Sequence, residues 1–324
     1  MFSNDNATGK LNIRSLPHEV LAALADLAAR NDRSLEAEAR HALKAWVRPT
    51  ESTRQESTRL GQISERLEFL ARNIEKACPF KVASPSRIAE ALGLTHAVPV
   101  EQWFRGHAEA SFDELANIAK LMGCHSQWLI HGEGAPYSST YVRIPEHVIS
   151  GTEFLFLPND DGLRPNLHLV RSKEETGGFL FVRQYSDWDY QVFHTPYHVS
   201  DVIGAGGEAS LAALSLILKG VYRAWTQRQN SQVEVLGYLA RKEVFDALME
   251  GSSHPASILK SAERSCWWED FWDADQYEKS NYWEGWRSIT QRIGSVVNGN
   301  SRFYDQHAEL ASHTFDFSNR PANE

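Results

Sequence analysis

Residues 8–49 constrain the fold most tightly. Lys10-Leu11-Asn12-Ile13-Arg14 alternates polar and apolar side chains with a period of two, the pattern of a strand with one buried face. Leu11 and Ile13 then point inward, and Lys10, Asn12 and Arg14 point outward together. Leu16-Pro17 ends the strand, and Pro17 suits the first turn of a helix. From His18 to Asn31, the residues Val20, Leu21, Leu24, Leu27 and Ala28 share one helical face. Asn31-Asp32-Arg33 reads as a turn. Ser34 is a good N-cap, and Glu36 and Glu38 fall in the first turn, where the helix dipole favours acids. The second helix runs to about Val47 with Leu35, Ala39, Ala42, Leu43 and Trp46 inward, and Pro49 stops it. A unit of about 40 residues is too small to bury a proper core alone, and a lone strand cannot satisfy its backbone donors and acceptors. Pairing two such strands in a dimer solves both problems.

This segment, KLNIRSLP, then HEVLAALADLAAR, then NDRSLEAEARHALKAW, resembles the ribbon-helix-helix proteins of the Arc and antitoxin type. The resemblance implies a paired ribbon that enters the major groove of double-stranded DNA. Carried over by position, the base-reading side chains are Lys10, Asn12 and Arg14. Arg and Lys pair bidentately with guanine and Asn with adenine, so the residue types fit. Arg33 and Ser34, at the start of the second helix, would hold a backbone phosphate.

Residues 50–62 are polar, carry two Glu-Ser-Thr-Arg copies, and read as a linker or helical extension. Helical spacing resumes with Ile63, Leu67, Leu70, Ala71 and Ile74. Ser84-Pro85 opens a second helix, Gly93 supplies a turn, and Thr95 to Phe104 gives a third. Ser111 followed three residues later by Glu114 is a capping-box signature for a fourth, and Trp128, Leu129 and Ile130 mark a short fifth that closes at Gly132-Glu133-Gly134. RIAEALG, WFRG, SFDELANIAKLMG and WLIHGEGAPY together resemble the Cro/lambda-repressor-like (XRE) helix-turn-helix family. That resemblance implies an all-α five-helix domain over 63–137 whose third helix enters the major groove. Thr95, His96, Val98 and Gln102 would face the bases, with Ser86 and Arg105 on phosphates. Pro99 within that helix and Glu101 on its face depart from the family pattern.

Residues 138–324 resemble no family. EFLFLP, LHLVR, GFLFVRQY and YQVFHTP read as short antiparallel strands split by turns. Gly204-Ala205-Gly206-Gly207 reads as a flexible turn before a helix from Glu208 to about Gln227, because it lacks P-loop or Rossmann spacing. Residues 266–286 hold eight aromatics, Trp267, Trp268, Phe271, Trp272, Tyr277, Tyr282, Trp283 and Trp286, interleaved with acids. Most are expected in the core, with a protein contact or ligand pocket as the other reading. His168, His194 and His198 are expected to be structural.

The fold class expected is therefore multidomain: a ribbon-helix-helix unit over 8–49, a linker, a five-helix domain over 63–137, and a C-terminal α+β domain over 138–324 with antiparallel strands. The net charge of −9 argues against nucleic acid only until it is divided. Residues 1–50 carry 7 Lys/Arg against 6 Asp/Glu, whereas residues 138–324 carry 17 against 25. The acidity thus sits at the C-terminal end, and phosphate binding needs only a local basic face. Three widely spaced cysteines give neither a disulfide framework nor a zinc site and suit a reducing cytoplasm. The polar first ten residues show no secretory signal, and no apolar run is long enough to span a membrane. No nucleophile–base pair, metal motif or cofactor fingerprint is visible, so no catalytic site, metal or cofactor is expected. The combined expectation is a cytoplasmic, non-enzymatic DNA-binding regulator of a bacterium, phage or mobile element. It would act as a homodimer or higher oligomer, with a small-molecule effector or protein partner at its C-terminal domain. An antitoxin or antirepressor whose C-terminal part binds a protein is the alternative.

Overall fold

A computed structural model of the chain describes residues 15–31, 33–46, 59–78, 83–227 and 232–317. The chain divides into two compact units, Met1–Arg59 and Leu60–Glu324. In the first, α1 (His18–Arg30) and α2 (Leu35–Trp46) form a hairpin. Pro17 caps α1, and its carbonyl accepts from the Val20 and Leu21 N–H groups. Much of the apolar face that the sequence gives these helices stays open among the described side chains. Val20, Leu21 and Leu27 of α1 and Leu35 and Leu43 of α2 are all exposed, and Ala28 alone of the expected α1 face is buried.

The second unit begins with five helices: α3 (Arg59–Ala77), α4 (Pro85–Ala91), α5 (Val98–Phe104), α6 (Phe112–Leu121) and α7 (Ser126–His131). They share one core built on Leu67, Leu70, Ile74, Ile88, Val100, Trp103, Ile118, Met122 and Leu129. The local chemistry at their ends is as the sequence predicts. Ser84 accepts from the Arg87 N–H and Pro85 opens α4. Gly93, at φ +70°, makes the left-handed turn that leaves α4. Ser111 and Glu114 complete a reciprocal capping box, with Glu114 N–H to Ser111 Oγ at 3.2 Å and Ser111 N–H to Glu114 Oε2 at 2.6 Å. Ser111→Ala is expected to cost about 1 kcal/mol of unfolding free energy in a urea titration. Two boundaries differ from expectation. α3 starts at Arg59 and so takes in residues assigned to the linker. α5 starts at Val98, not Thr95, which puts Pro99 in the first helical turn, where its missing N–H has no intrahelical partner to lose.

The chain continues through β1 (Thr140–Tyr141), α8 (Val148–Leu155), β2 (Asn166–Ser172), β3 (Gly178–Gln184), β4 (Tyr190–His198), α9 (Ala205–Thr226) and β5 (Val235–Ala240). It ends with α10 (Lys242–Glu250), α11 (Pro255–Leu259), β6 (Glu263–Arg264), α12 (Trp267–Asp270), α13 (Trp286–Gly299) and α14 (Ser301–Ser312). The strands form one sheet in the order β1-β4-β3-β2-β5-β6. β2, β3 and β4 are the expected antiparallel meander. The sheet as a whole is mixed rather than antiparallel, because β5 runs parallel to β2 and β1 parallel to β4. The 22-residue α9 makes the β5–β2 pairing possible, since only a long crossover returns the chain for a parallel strand.

Helices cover both faces of the sheet. Leu167, Leu169, Phe179 and Phe181 pack under α8, α9, α12, α13 and α14. Val170, Leu180, Val182 and Tyr238 pack under α10, α11 and the end of α3. Burial on both sides explains why β2 and β3 read as nearly unbroken apolar runs. α8 and α9 approach closely: a Cβ on Gly220 would fall 2.1 Å from Thr152 Oγ1, and one on Gly151 2.6 Å from Ile217 Cδ1. Two further expectations fail here. EFLFLP is not a strand; its first three residues finish α8, where Leu155 is buried against the crossover helix. The glycines at 206 and 207 lie inside the first turn of α9 rather than in a loop before it. Four of the eight aromatics of 266–286, Trp267, Trp268, Phe271 and Trp286, are at most 1% exposed, and Trp267 donates its indole N–H to the Tyr238 carbonyl.

The bundle and the sheet share one unit because they interlock. Ala77, at the end of α3, is buried in the sheet's second core, and its carbonyl accepts from Lys260. Gly123, after α6, meets the β3–β4 turn so closely that a Cβ would lie 2.7 Å from Asp189 Cα. No described helix is long and apolar enough to cross a membrane.

Candidate nucleic-acid interface

The interface expected at the N-terminal unit has a ribbon part and a helix part. The ribbon residues Lys10, Asn12 and Arg14 lie outside the described residues. The helix part is visible at the turn between α1 and α2. Glu38, 6% exposed, faces back over that turn and accepts from Asn31 Nδ2 at 2.9 Å and from Arg33 Nη1 at 3.2 Å. This clamp ties the turn to the first turn of α2, and it leaves the Arg33 side chain 41% exposed. Ser34 Oγ accepts from the Ala37 N–H at 3.2 Å, and its carbonyl takes the Glu38 N–H. The hydroxyl proton of Ser34 stays free to donate, and the first N–H groups of α2 point out of the helix end. Together these form the donor set that a phosphate oxygen requires. Arg33 and Ser34 are thus adjacent and exposed, as expected, although Arg33 is already held by an acid.

The second expected interface lies on α4 and α5. Ser86, Thr95, His96, Val98 and Arg105 are all exposed, while Gln102 is half-buried. Thr95 and His96 sit in the turn before α5 rather than on it. The two departures noted in the sequence have different outcomes. Pro99 is accommodated by the late helix start. Glu101 pairs with Arg105 one helical turn later, at 3.8 Å, so the acid on this face neutralises the cation assigned to phosphate. Such an exposed pair is worth little to stability, but it leaves the outward face of α5 with no net charge. The opposite side of α4–α5 faces the sheet portion, where Leu92, Leu94 and Trp103 line a cavity of about 490 Å³ together with Lys120, Tyr185 and Asp189. Lys120 bridges there to Asp160 and Asp161.

The histidines expected to be structural behave so where they are buried. His168, on β2, shares hydrogen bonds with Tyr238 Oη at 3.1 Å and Gln184 Oε1 at 3.0 Å. Burial lowers its pKa to about 4. His254, which the sequence did not single out, caps α11. Its Nδ1 accepts from the Ala256 N–H and its Nε2 donates to the Trp188 carbonyl, and burial again lowers the pKa to about 4. Among the described residues, no group of three His, Cys, Asp or Glu is placed to hold a metal.

The two helices and their exposed apolar residues agree with the hairpin expected after the strand. Residues 10–47 match the family of FitA-like ribbon-helix-helix antitoxins. The ribbon-helix-helix unit is therefore the recognisable part of the chain, and it marks the protein as carrying an antitoxin-type or regulator-type DNA-binding module. No curated protein and no solved structure matches the chain significantly. The five-helix bundle and the mixed sheet are described by their geometry alone.

Proposed function

We propose that the chain is a non-enzymatic, sequence-specific DNA-binding regulator that acts as a homodimer through its ribbon-helix-helix unit. The observation that carries this reading is the apolar face left open on α1 and α2, in the segment that matches a family of strand-paired proteins. Leu21 and Leu27 are 44% and 49% exposed in one copy. A second copy, pairing its strand and covering these leucines, supplies both the missing core and the missing backbone partners. The paired ribbon then presents Lys10, Asn12 and Arg14 twice, related by a two-fold axis, and so selects a palindromic operator. Arg33 and Ser34 take flanking phosphates. The α4–α5 face, with Ser86, His96 and Val98 exposed and Gln102 half-buried, is assigned a secondary role, since Arg105, the cation expected on phosphate there, is paired with Glu101.

Selection of bound sequences from random duplex DNA tests this with the full-length protein and an Asn12→Ala/Arg14→Ala variant. The wild type should enrich a palindrome and the variant should lose it. Arg14→Ala alone should cost about 1–3 kcal/mol and relax preference at one base position. Enrichment of the same motif by wild type and double variant would remove the ribbon from the reading. A second reading, favoured by the antitoxin character of the matched family, makes the Leu60–Glu324 unit the part that holds a protein partner while the N-terminus represses its own operon. Copurification of a stoichiometric protein with the isolated full chain separates the two.

A further inference from the structure

The cavity of about 490 Å³ between the helical bundle and the sheet has the size of a small-molecule site. Much of its lining is apolar: Leu92, Leu94 and Trp103 from the α4–α5 segment, Leu121 of α6, and Leu163. One lysine, Lys120, and three acids, Glu114, Asp161 and Asp189, also line it. Two of the acids are engaged. Glu114 accepts from the Ser111 N–H, and Asp161 holds Lys120 at 3.2 Å. Lys120 takes Asp160 as its second acid, at 3.6 Å. Asp189, just before β4, is the acid left over. It is 8% exposed and forms no ion pair with a described residue. Its carboxylate accepts from Gln191 Nε2 at 3.4 Å, a long bond. Burial raises its pKa to about 6 against the pull of that bond and of the Lys120 charge, so neither neighbour makes up for the water it has lost. A buried carboxylate without a cation costs free energy. The backbone beneath it is held in place, since Gly123 abuts Asp189 Cα too closely for a Cβ.

The surplus of acids disfavours an anion, and the apolar lining offers a bare metal ion too few oxygens. We propose that the cavity binds an organic monocation with an apolar body, a primary amine whose ammonium pairs with Asp189 and whose hydrocarbon part packs on Leu92, Leu94 and Trp103. The ammonium brings the missing charge and three donors, and a charge-assisted bond is the strong kind of hydrogen bond. The site is independent of the DNA-binding reading. Its walls join the α4–α5 pair to the turn between β3 and β4, so a bound amine touches both.

Calorimetric titration of the full-length protein tests it with phenethylamine and tryptamine, and with their neutral counterparts phenethyl alcohol and tryptophol. At least one amine should saturate with a Kd of about 1 mM or tighter, and its alcohol should bind at least about tenfold more weakly. Asp189→Asn keeps an acceptor for Gln191 Nε2 and removes the charge. It should weaken the amine by about tenfold or more. At about pH 7.5 the same variant should melt at a higher temperature than the wild type, because a buried unpaired charge has gone, which separates lost binding from lost folding. Hydrogen exchange on the wild type should show the amine protecting both 92–104 and 185–191, the two walls of the cavity. Absence of saturation by both amines, alcohols that bind as tightly as the amines, unaltered binding in Asp189→Asn, or protection confined to other segments would each overturn the assignment. If the variant does not fold, the ligand comparison and the exchange pattern on the wild type decide alone.

Discussion

The Leu60–Glu324 unit should lose on the order of 3 kcal/mol of stability between pH 6.5 and 4, and His254→Asn should nearly flatten that loss. Burial moves both His168 and His254 from 6.5 to about 4. A histidine whose folded pKa is depressed contributes stability that is present above 6.5 and is lost as the pH falls through about 4. Each shift is worth on the order of 3 kcal/mol. Asp189 works in the opposite direction. Burial raises it from 3.8 to about 6, so its contribution is fully present below 3.8 and is lost as pH rises through about 6. Two losses against one gain of similar size leave a net loss of about 3 kcal/mol on acidification. The geometry at His254 shows why protonation is costly there. Nδ1 already accepts from the Ala256 N–H, and a second proton on the ring would point a donor at a donor. Asn at that position accepts the same N–H as an ordinary N-cap and cannot titrate. Denaturant titrations followed by tryptophan fluorescence across this pH window should show the wild type falling, His254→Asn nearly level, and Asp189→Asn falling more steeply. Parallel profiles for wild type and His254→Asn would show that the charge on this ring does not govern acid stability.

What could be read in the sequence follows from the range of the interactions concerned. Caps, turns and helix periods are local, so Ser84, Gly93, the Ser111–Glu114 box and the positions of the first seven helices were legible to within a few residues. The error at Thr95–Val98 is also local in origin: apolar spacing ran through the turn, and the weight of Pro99 as a helix-start residue was missed. The meander β2–β3–β4 was legible because hairpins pair neighbours in the chain. β5 was not, since its partner β2 lies about 70 residues away and its own run, VLGYLA, carries no alternation when both faces are covered. EFLFLP shows the same ambiguity resolved the other way, as a short apolar run buried in a helix. The candidate sites divide similarly. Arg33 and Ser34 were found from a family pattern written in consecutive residues. The pairing of Glu101 with Arg105 was visible as an i, i+4 spacing, yet its cost to phosphate binding emerges only once both are seen on one helix face. Lys120 on α6 and Tyr185 and Asp189 between β3 and β4 line one cavity, and no pattern in the chain announces that they meet.

Replacing Leu21 and Leu27 together by Lys should abolish operator binding, reducing affinity by at least about a hundredfold, and should convert any dimer held by the N-terminal unit to monomer. Both side chains are nearly half exposed in a single copy, so the substitutions disturb little within it. In a two-fold dimer each change counts twice. Four leucines, each with about half of its surface still to bury, contribute about 0.7–1.5 kcal/mol apiece, and four ammonium groups in their place add repulsion and a desolvation cost. No dimer of so small a unit survives a loss of that size. The consequence for DNA follows from the ribbon. A strand without its partner loses its backbone pairing and presents one set of Lys10, Asn12 and Arg14 where a palindromic site needs two. The two units report separately, because nine of the ten tryptophans lie beyond residue 59. Near-ultraviolet circular dichroism of the double variant should therefore match the wild type while sedimentation and DNA binding change. A variant that stays dimeric through Leu60–Glu324 but no longer binds DNA would still place operator recognition on paired ribbons. A variant that binds its operator as tightly as the wild type would mean that the exposed leucines cover no second copy, and that the affinity for DNA is carried by α4 and α5.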